Sequence, residues 1–280
     1  MYSDADYFLE VMMKQRTQIM GVLNVTPDSF SNQGEHFSYT EAVAHAKRLI
    51  DEGADIIDVG GEATNPWVEP TPEAEELRRV IPVIEAIRRV GITIPISVDT
   101  MKAGVAAAAI DAGANLINDV SGFRDPAMIA VAVDKQVPIC VMHMQGTPKT
   151  MQLDPQYPKG VVNELLDWGH KKAEELMAAG VKRENIILDP GIGFGKTVAH
   201  NYEIIHNLHK FKSLGFPLLL GASRKSFLGK VLNKKPQELD FATVAAHTAA
   251  IVSSGVEYIR VHNVQAHRDA VEVVTRIMQS

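Results

Sequence analysis

The feature that most constrains the fold is a regular alternation of short apolar, β-rich runs with longer helix-like segments. The runs fall at residues 19–25, 55–60, 94–99, 116–120, 138–144, 186–189, 217–221 and 258–262. Between them lie stretches rich in Ala, Leu, Glu, Lys and Arg, such as 39–52, 72–90 and 161–179. A strand followed by a crossover helix, repeated, implies parallel pairing, because parallel neighbours need a connection of a dozen or more residues. A doubly wound open sheet uses five or six strands, whereas eight units point to closure. The sequence therefore predicts an α/β protein, a single (β/α)8 TIM barrel over residues 18–280 with a short N-terminal extension at 1–17.

Composition agrees with one closed domain. The chain has 280 residues, 46% apolar and 22% charged, with no Gly/Ser/Pro-rich linker to divide it. Its 28 Lys and Arg against 34 Asp and Glu give a net charge of −6. That excludes a general nucleic-acid or anionic-membrane binder but leaves room for a local cationic pocket. The lone cysteine, Cys140, excludes an intrachain disulfide framework and a Cys-rich zinc site. No apolar run approaches the length of a membrane helix, and residues 1–17 carry no signal-peptide core. The expected location is the cytoplasm.

One short pattern repeats. Glu52-Gly53-Ala54-Asp55-Ile56-Ile57-Asp58 resembles Ala112-Gly113-Ala114-Asn115-Leu116-Ile117-Asn118, and Ser254-Gly255-Val256-Glu257-Tyr258-Ile259-Arg260 follows the same plan. Each places Gly where a helix needs a left-handed C-cap and starts a strand at once. Reuse of a favourable turn and true internal duplication account for it equally well.

In such a barrel the ligand site forms at the C-terminal ends of the strands. Those ends carry Asn24, Asp58, Asp99, Asn118, His143, Asp189, the Ser223-Arg224-Lys225 turn, Arg260 and His262. A polar residue there is costly unless it is paired or has a task. Asp99, Asn118 and Asp189 suit a planar heterocycle with a row of N–H and C=O groups. Lys225, Arg260 and His262 put cationic or donor groups on the last two units, where barrel enzymes often hold phosphate. The carbonyl oxygen of Asn24 suits Mg²⁺ bridged to a substrate phosphate. No Ser-His-Asp or Cys-His nucleophile system is visible, so the chemistry should run by positioning and leaving-group stabilisation.

Two lookalikes fail. Gly191-Ile192-Gly193-Phe194-Gly195-Lys196-Thr197 resembles a P-loop, but that pattern requires Gly where Pro190 stands. His143 between Met142 and Met144 suggests copper, yet a core histidine at a strand end explains it more simply.

These residues carry a family resemblance. Gly21-Val22-Leu23-Asn24-Val25-Thr26-Pro27-Asp28-Ser29-Phe30-Ser31 is similar to the opening signature of the dihydropteroate synthase family. Asp58-Val59-Gly60-Gly61-Glu62, Ser97-Val98-Asp99-Thr100, Asn118-Asp119, Met142-His143-Met144-Gln145-Gly146, Asp189-Pro190-Gly191, Ser223-Arg224-Lys225 and Arg260-Val261-His262 resemble its later motifs, in order. The likeness implies a (β/α)8 barrel that joins p-aminobenzoate to 6-hydroxymethyl-7,8-dihydropterin diphosphate, giving 7,8-dihydropteroate and diphosphate in folate biosynthesis. It implies that Asp99, Asn118, Asp189, Lys225 and Arg260 hold the pterin and that Asn24 binds Mg²⁺. Arg260 and His262 would contact the diphosphate, while Thr64, Phe194, Lys225 and Ser226 border p-aminobenzoate. Asn24, Lys225, Arg260 and His262 are the expected catalytic set. Sulfonamides should compete with p-aminobenzoate, and the family implies a homodimer, with the segment 241–253 a candidate interface.

Segments 25–38 and 62–71 read as mobile lids. The chain departs from the family at Ala63 and Asn65, at Asn32-Gln33, and at Asp240-Phe241-Ala242-Thr243. The expected effect is weaker closure over substrate, with activity retained. Two alternatives stay open: a pterin-binding methyltransferase of the same barrel class, and a non-catalytic pterin-binding paralogue.

Overall fold

The computed structural model describes residues 16–25, 39–62 and 69–280. Most of the expected lids at 25–38 and 62–71, most of the extension at 1–17, and Thr64, Asn32, Gln33, Ala63 and Asn65 lie outside them.

Eight parallel strands form one sheet: β1 (Gln18–Asn24), β2 (Ile56–Gly60), β3 (Ile96–Asp99), β4 (Leu116–Asp119), β5 (Ile139–Met142), β6 (Ile186–Asp189), β7 (Leu219–Leu220) and β8 (Tyr258–Val261). Their order is β6-β5-β4-β3-β2-β1-β8-β7. A parallel bridge from Leu188 to Leu218 joins the two ends of that row and closes the ring. Four strands start later than the sequence pattern suggests, and three of them, β3, β5 and β7, do so directly or soon after a proline: Pro95, Pro138 and Pro217. Proline has no N–H to give a ladder, so pairing begins beyond it.

The helices are α1 (Tyr39–Asp51), α2 (Glu73–Arg89), α3 (Ala103–Asp111), α4 (Pro126–Lys135), α5 (Val161–Ala178), α6 (Val198–His206), α7 (Leu208–Phe211), α8 (Ser226–Leu232), α9 (Asp240–Ser254) and α10 (Val264–Gln279). Period-two alternation divides each strand between two environments. Outward residues such as Leu23, Ile57, Val98, Ile117, Val141, Leu188 and Ile259 pack into the main core beneath the helices. Met20, Ile56, Leu116, Cys140, Ile187, Leu219 and Tyr258 form a separate buried cluster inside the barrel. That apolar cluster is the floor on which the polar mouth rests. Cys140 belongs to it, and burial pushes its thiol well above the usual range.

The repeated Gly-containing pattern has a structural cause. Gly53, Gly113 and Gly255 take φ of +97°, +109° and +62°, ending α1, α3 and α9. Two residues on, Asp55, Asn115 and Glu257 each accept a hydrogen bond from the backbone N–H of Ile19, Ile96 and Leu218, at 3.0, 3.0 and 2.9 Å. The donors lie at the entry of the neighbouring strand. A basic side chain joins each acceptor: Arg16 and Arg268 at Asp55, Arg88 at Asn115, and Lys212 at Glu257.

Candidate active site

The inward residues above the floor are polar, and several are charged. Arg260 on β8 donates from Nε to Asp58 Oδ2 at 2.6 Å and from Nη2 to Asp99 Oδ2 at 2.7 Å. Asp58 is fully buried, and Asn118 Nδ2 on β4 stands 3.4 and 3.5 Å from its two oxygens. Two carboxylates thus share one guanidinium. Burial pushes Asp99 up to about 7, against the pull of Arg260 and with a further push from Asp58. On β6, Asp189 is buried and accepts from the Gly191 N–H at 2.7 Å.

Glycines leave space among these groups. A Cβ at Gly221 would stand 3.8 Å from Arg260 Cβ, 3.9 Å from Lys225 Nζ and 4.0 Å from Asp189 Oδ2. A side chain at this position would therefore reach all three groups. A Cβ at Gly60 would likewise meet Asp99 Cβ at 3.4 Å.

Lys225 follows the β7 turn, hydrogen-bonds to the Ile192 carbonyl, and lies 4.5 Å from the centroid of the Phe194 ring. Burial lowers it to about 8, while Asp189 opposes the shift. Ser226, the first residue of α8, is exposed. The helix opens there, three residues after Ser223.

His262 stands just past β8. Its backbone N–H donates to Ser223 Oγ at 3.2 Å, so the Ser223 hydroxyl proton is available to its Nδ1 at 2.8 Å. With the Ser223 hydroxyl proton directed at Nδ1, the ring carries its own proton on Nε2. Burial, with Arg260 and Arg224 nearby, lowers the imidazole to about 4. At neutral pH His262 is an uncharged donor, which narrows the sequence reading of a cationic or donor group.

Asn24 ends β1 in register with Gly60, which in turn pairs with Asp99. Its carboxamide has no hydrogen-bond partner among the described residues and is half-buried. Among those residues no group of three or more His, Cys, Asp or Glu is arranged to hold a metal ion. A single neutral oxygen of this kind fits Mg²⁺ shared with substrate phosphates and does not fit an all-protein cage.

Some residues the sequence passed over take part. Asp58 was visible at its strand end, yet its pairing with Arg260 was not. Lys196, set aside with the P-loop lookalike, is buried: its Nζ meets His143 Nδ1 at 3.1 Å and the Phe194 carbonyl at 2.9 Å. His143 packs edge-on to Trp168 at 5.0 Å, and burial beside Lys196 lowers it to about 2. Lys102 pairs with Glu62 and Glu76, fastening the root of the segment after β2.

A closed barrel with hydrogen-bonding acids over an apolar floor, and basic groups on its last two units, is the arrangement of a pterin-binding enzyme. The family model described as pterin binding enzyme matches residues 20–262. The chain is 45% identical over 256 residues to the dihydropteroate synthase of Haemophilus influenzae, covering 91% of this chain and 92% of that one. Among solved structures it is similar to Yersinia pestis dihydropteroate synthase in a sulfonamide drug complex, with TM-score 0.88, 41% identity and 94% of each chain covered. It is also similar to the Xanthomonas albilineans enzyme in complex with 7,8-dihydropteroate, with TM-score 0.86, 38% identity and 96% of each chain covered. The chain belongs to the dihydropteroate synthase family, whose members are transferases.

Proposed function

We propose that the barrel mouth condenses 6-hydroxymethyl-7,8-dihydropterin diphosphate with p-aminobenzoate, forming 7,8-dihydropteroate and diphosphate in folate biosynthesis. The observation that carries this reading is the Arg260 guanidinium held between Asp58 and Asp99, on a side chain whose Cβ lies next to Gly221. Asp99, Asn118 and Asp189 supply acceptors and one amide for the pterin edge. Arg260 lies along the same wall, and its Nη1 has no protein partner among the described residues.

In the reaction the bond from the pterin methylene carbon to diphosphate oxygen breaks, and its electron pair leaves with diphosphate. The amine nitrogen of p-aminobenzoate forms the new C–N bond and releases one proton. Negative charge develops on the leaving oxygens. Preorganised donors stabilise such charge most strongly in a site shielded from water. Lys225, Arg260 and the Nε2–H of His262 are those donors here. Asn24 would hold Mg²⁺, which supplies charge neutralisation on the diphosphate when bound. The aromatic amine, neutral at pH 7, needs positioning more than activation. Phe194, Lys225 and Ser226, with Thr64 by the family resemblance, would border the place assigned to it, where sulfonamides would compete.

The relatives described above are synthases, which favours this reading over the methyltransferase. A homodimer fits the exposed apolar residues Phe241 and Val252 on α9 and Val273 and Ile277 on α10. A cytoplasmic location is part of the same proposal; among the described residues no helix is long and apolar enough to cross a membrane.

The test mixes purified protein with the pterin diphosphate, p-aminobenzoate and Mg²⁺ and follows dihydropteroate. Formation of dihydropteroate that sulfonamide suppresses and excess p-aminobenzoate restores is expected. Pterin binding without product would instead identify the non-catalytic paralogue.

A further inference from the structure

Behind the mouth, one face of α9 fastens the two turns that carry the diphosphate-side groups. Asp240, Thr243 and His247 stand at i, i+3 and i+7, a spacing that aligns side chains on one helix face. Thr243 and His247 are fully or almost fully buried. Each bonds to a different point on the turns after β7 and β8.

Asp240 takes the Arg224 guanidinium at both oxygens, 2.7 Å from Nε and 3.0 Å from Nη2. Its Oδ2 also accepts from Asn263 Nδ2 at 3.0 Å. Thr243 Oγ1 accepts from the Arg224 N–H at 3.1 Å and donates to the Leu239 carbonyl at 2.8 Å. His247 Nε2 accepts from the Ala222 N–H at 3.2 Å. Its Nδ1 then carries a proton for His267 Nε2, 3.0 Å away, and His267 Nδ1 donates to the Asn263 carbonyl at 2.7 Å. One set of tautomers satisfies the whole chain from Ala222 to Asn263.

The residue under this control is strained. Arg224 has φ of +56°, in the left-handed region that side chains disfavour. Such a conformation persists where the surroundings over-determine it. Here the ion pair and the Thr243 contact do so. Arg224 lies between Ser223, which orients His262, and Lys225, whose Nζ lies next to Gly221. Asn263 directly follows His262.

We propose that Asp240, Thr243 and His247 are positioning residues, which set the 222–225 turn and Asn263 so that Lys225 and His262 meet the pterin diphosphate. The inference rests on the reaction assigned above. It gives a role to the Asp240–Thr243 segment, where the sequence departs from the family.

Steady-state kinetics of the full chain with the pterin diphosphate, p-aminobenzoate and Mg²⁺ test it. Asp240→Ala should lower kcat/KM for the pterin diphosphate about tenfold, with KM rising, because small misplacements of binding groups are costly. Adding Arg224→Gly should restore the double variant to within about threefold of the unmodified chain, since glycine takes a left-handed φ without support. A lower melting temperature with unchanged KM, or a double variant no better than the single one, overturns the inference. Should Asp240→Ala not fold, Asp240→Asn with and without Arg224→Gly is judged by the same criterion. No product from the unmodified chain would overturn the assigned reaction, and the inference with it.

Discussion

Arg260 Nε lies 2.6 Å from Asp58 Oδ2, joining β8 to β2 across the intervening strand β1. The same guanidinium reaches Asp99 on β3 at 2.7 Å. One side chain therefore ties together the inner wall of four consecutive strands and presents what remains of its charge to the mouth.

Arg260→Met should be doubly damaging. It removes the guanidinium to which the fully buried Asp58 and its neighbour Asp99 both bond. Loss of about 3 kcal/mol of stability is expected from an orphaned buried pair, read by urea unfolding. Product formation should fall by about a hundredfold or more as a transition-state donor is lost. A variant with unchanged unfolding midpoint would show that the carboxylates relax without it.

Gly221→Val should separate binding from folding. The Cβ itself meets Arg260, Lys225 and Asp189 at ordinary contact distances, but two added methyls would press on those groups and on a ligand bound among them. Pterin affinity measured by calorimetry should drop at least about tenfold, the effect of small displacements within a positioned site. The melting temperature should move little. Undiminished pterin affinity would place the ligand elsewhere.

Lys225 sets an alkaline limit. Because burial lowers it to about 8, the ammonium loses its proton as pH rises through that value. Turnover at low pterin diphosphate concentration should then decline above about pH 8. Lys225→Arg, always charged, should lack that limb even if slower. A limb that survives in the arginine variant belongs to another group.

The paired histidines set an acid limit on stability. Burial holds both His247 and His267 below the ordinary 6.5, so each remains neutral in the folded state where the unfolded chain has begun to bind a proton. Their stabilisation is complete above pH 6.5 and is lost as pH falls from there towards the folded values. His262, lowered to about 4, adds to the loss between 6.5 and 4. Unfolding free energy should decline between pH 7 and 5, and His247→Gln should flatten that slope. An unchanged slope would assign it to other groups.

The barrel was legible because eight β-rich runs keep their spacing, and each run found a strand. The ends were blurred where Pro95, Pro138 and Pro217 trimmed the ladders. The polar groups at the mouth were legible too, since Asp99, Asn118 and Asp189 are expensive inside a barrel unless used. The fastening behind the mouth was not. Asp240, Thr243 and His247 read as ordinary polar positions of a helix, and their partners sit elsewhere in the chain. Arg224 carries no hint of a left-handed backbone, because glycine is the residue that advertises one. Lys196 looks like any surface lysine until burial is known.

The acceptors at Asp55, Asn115 and Glu257 have a further consequence. Each takes the first free N–H of an adjacent strand, so each indexes where that strand begins relative to its own. A slip of one residue would turn Asp58, Asp99 and Arg260 towards the helices and bring Val59, Val98 and Ile259 inwards. Alignment is thus decided at the end of the barrel opposite the ligand. Residues at the mouth can be exchanged to suit new chemistry without loosening the count that keeps the rest in step.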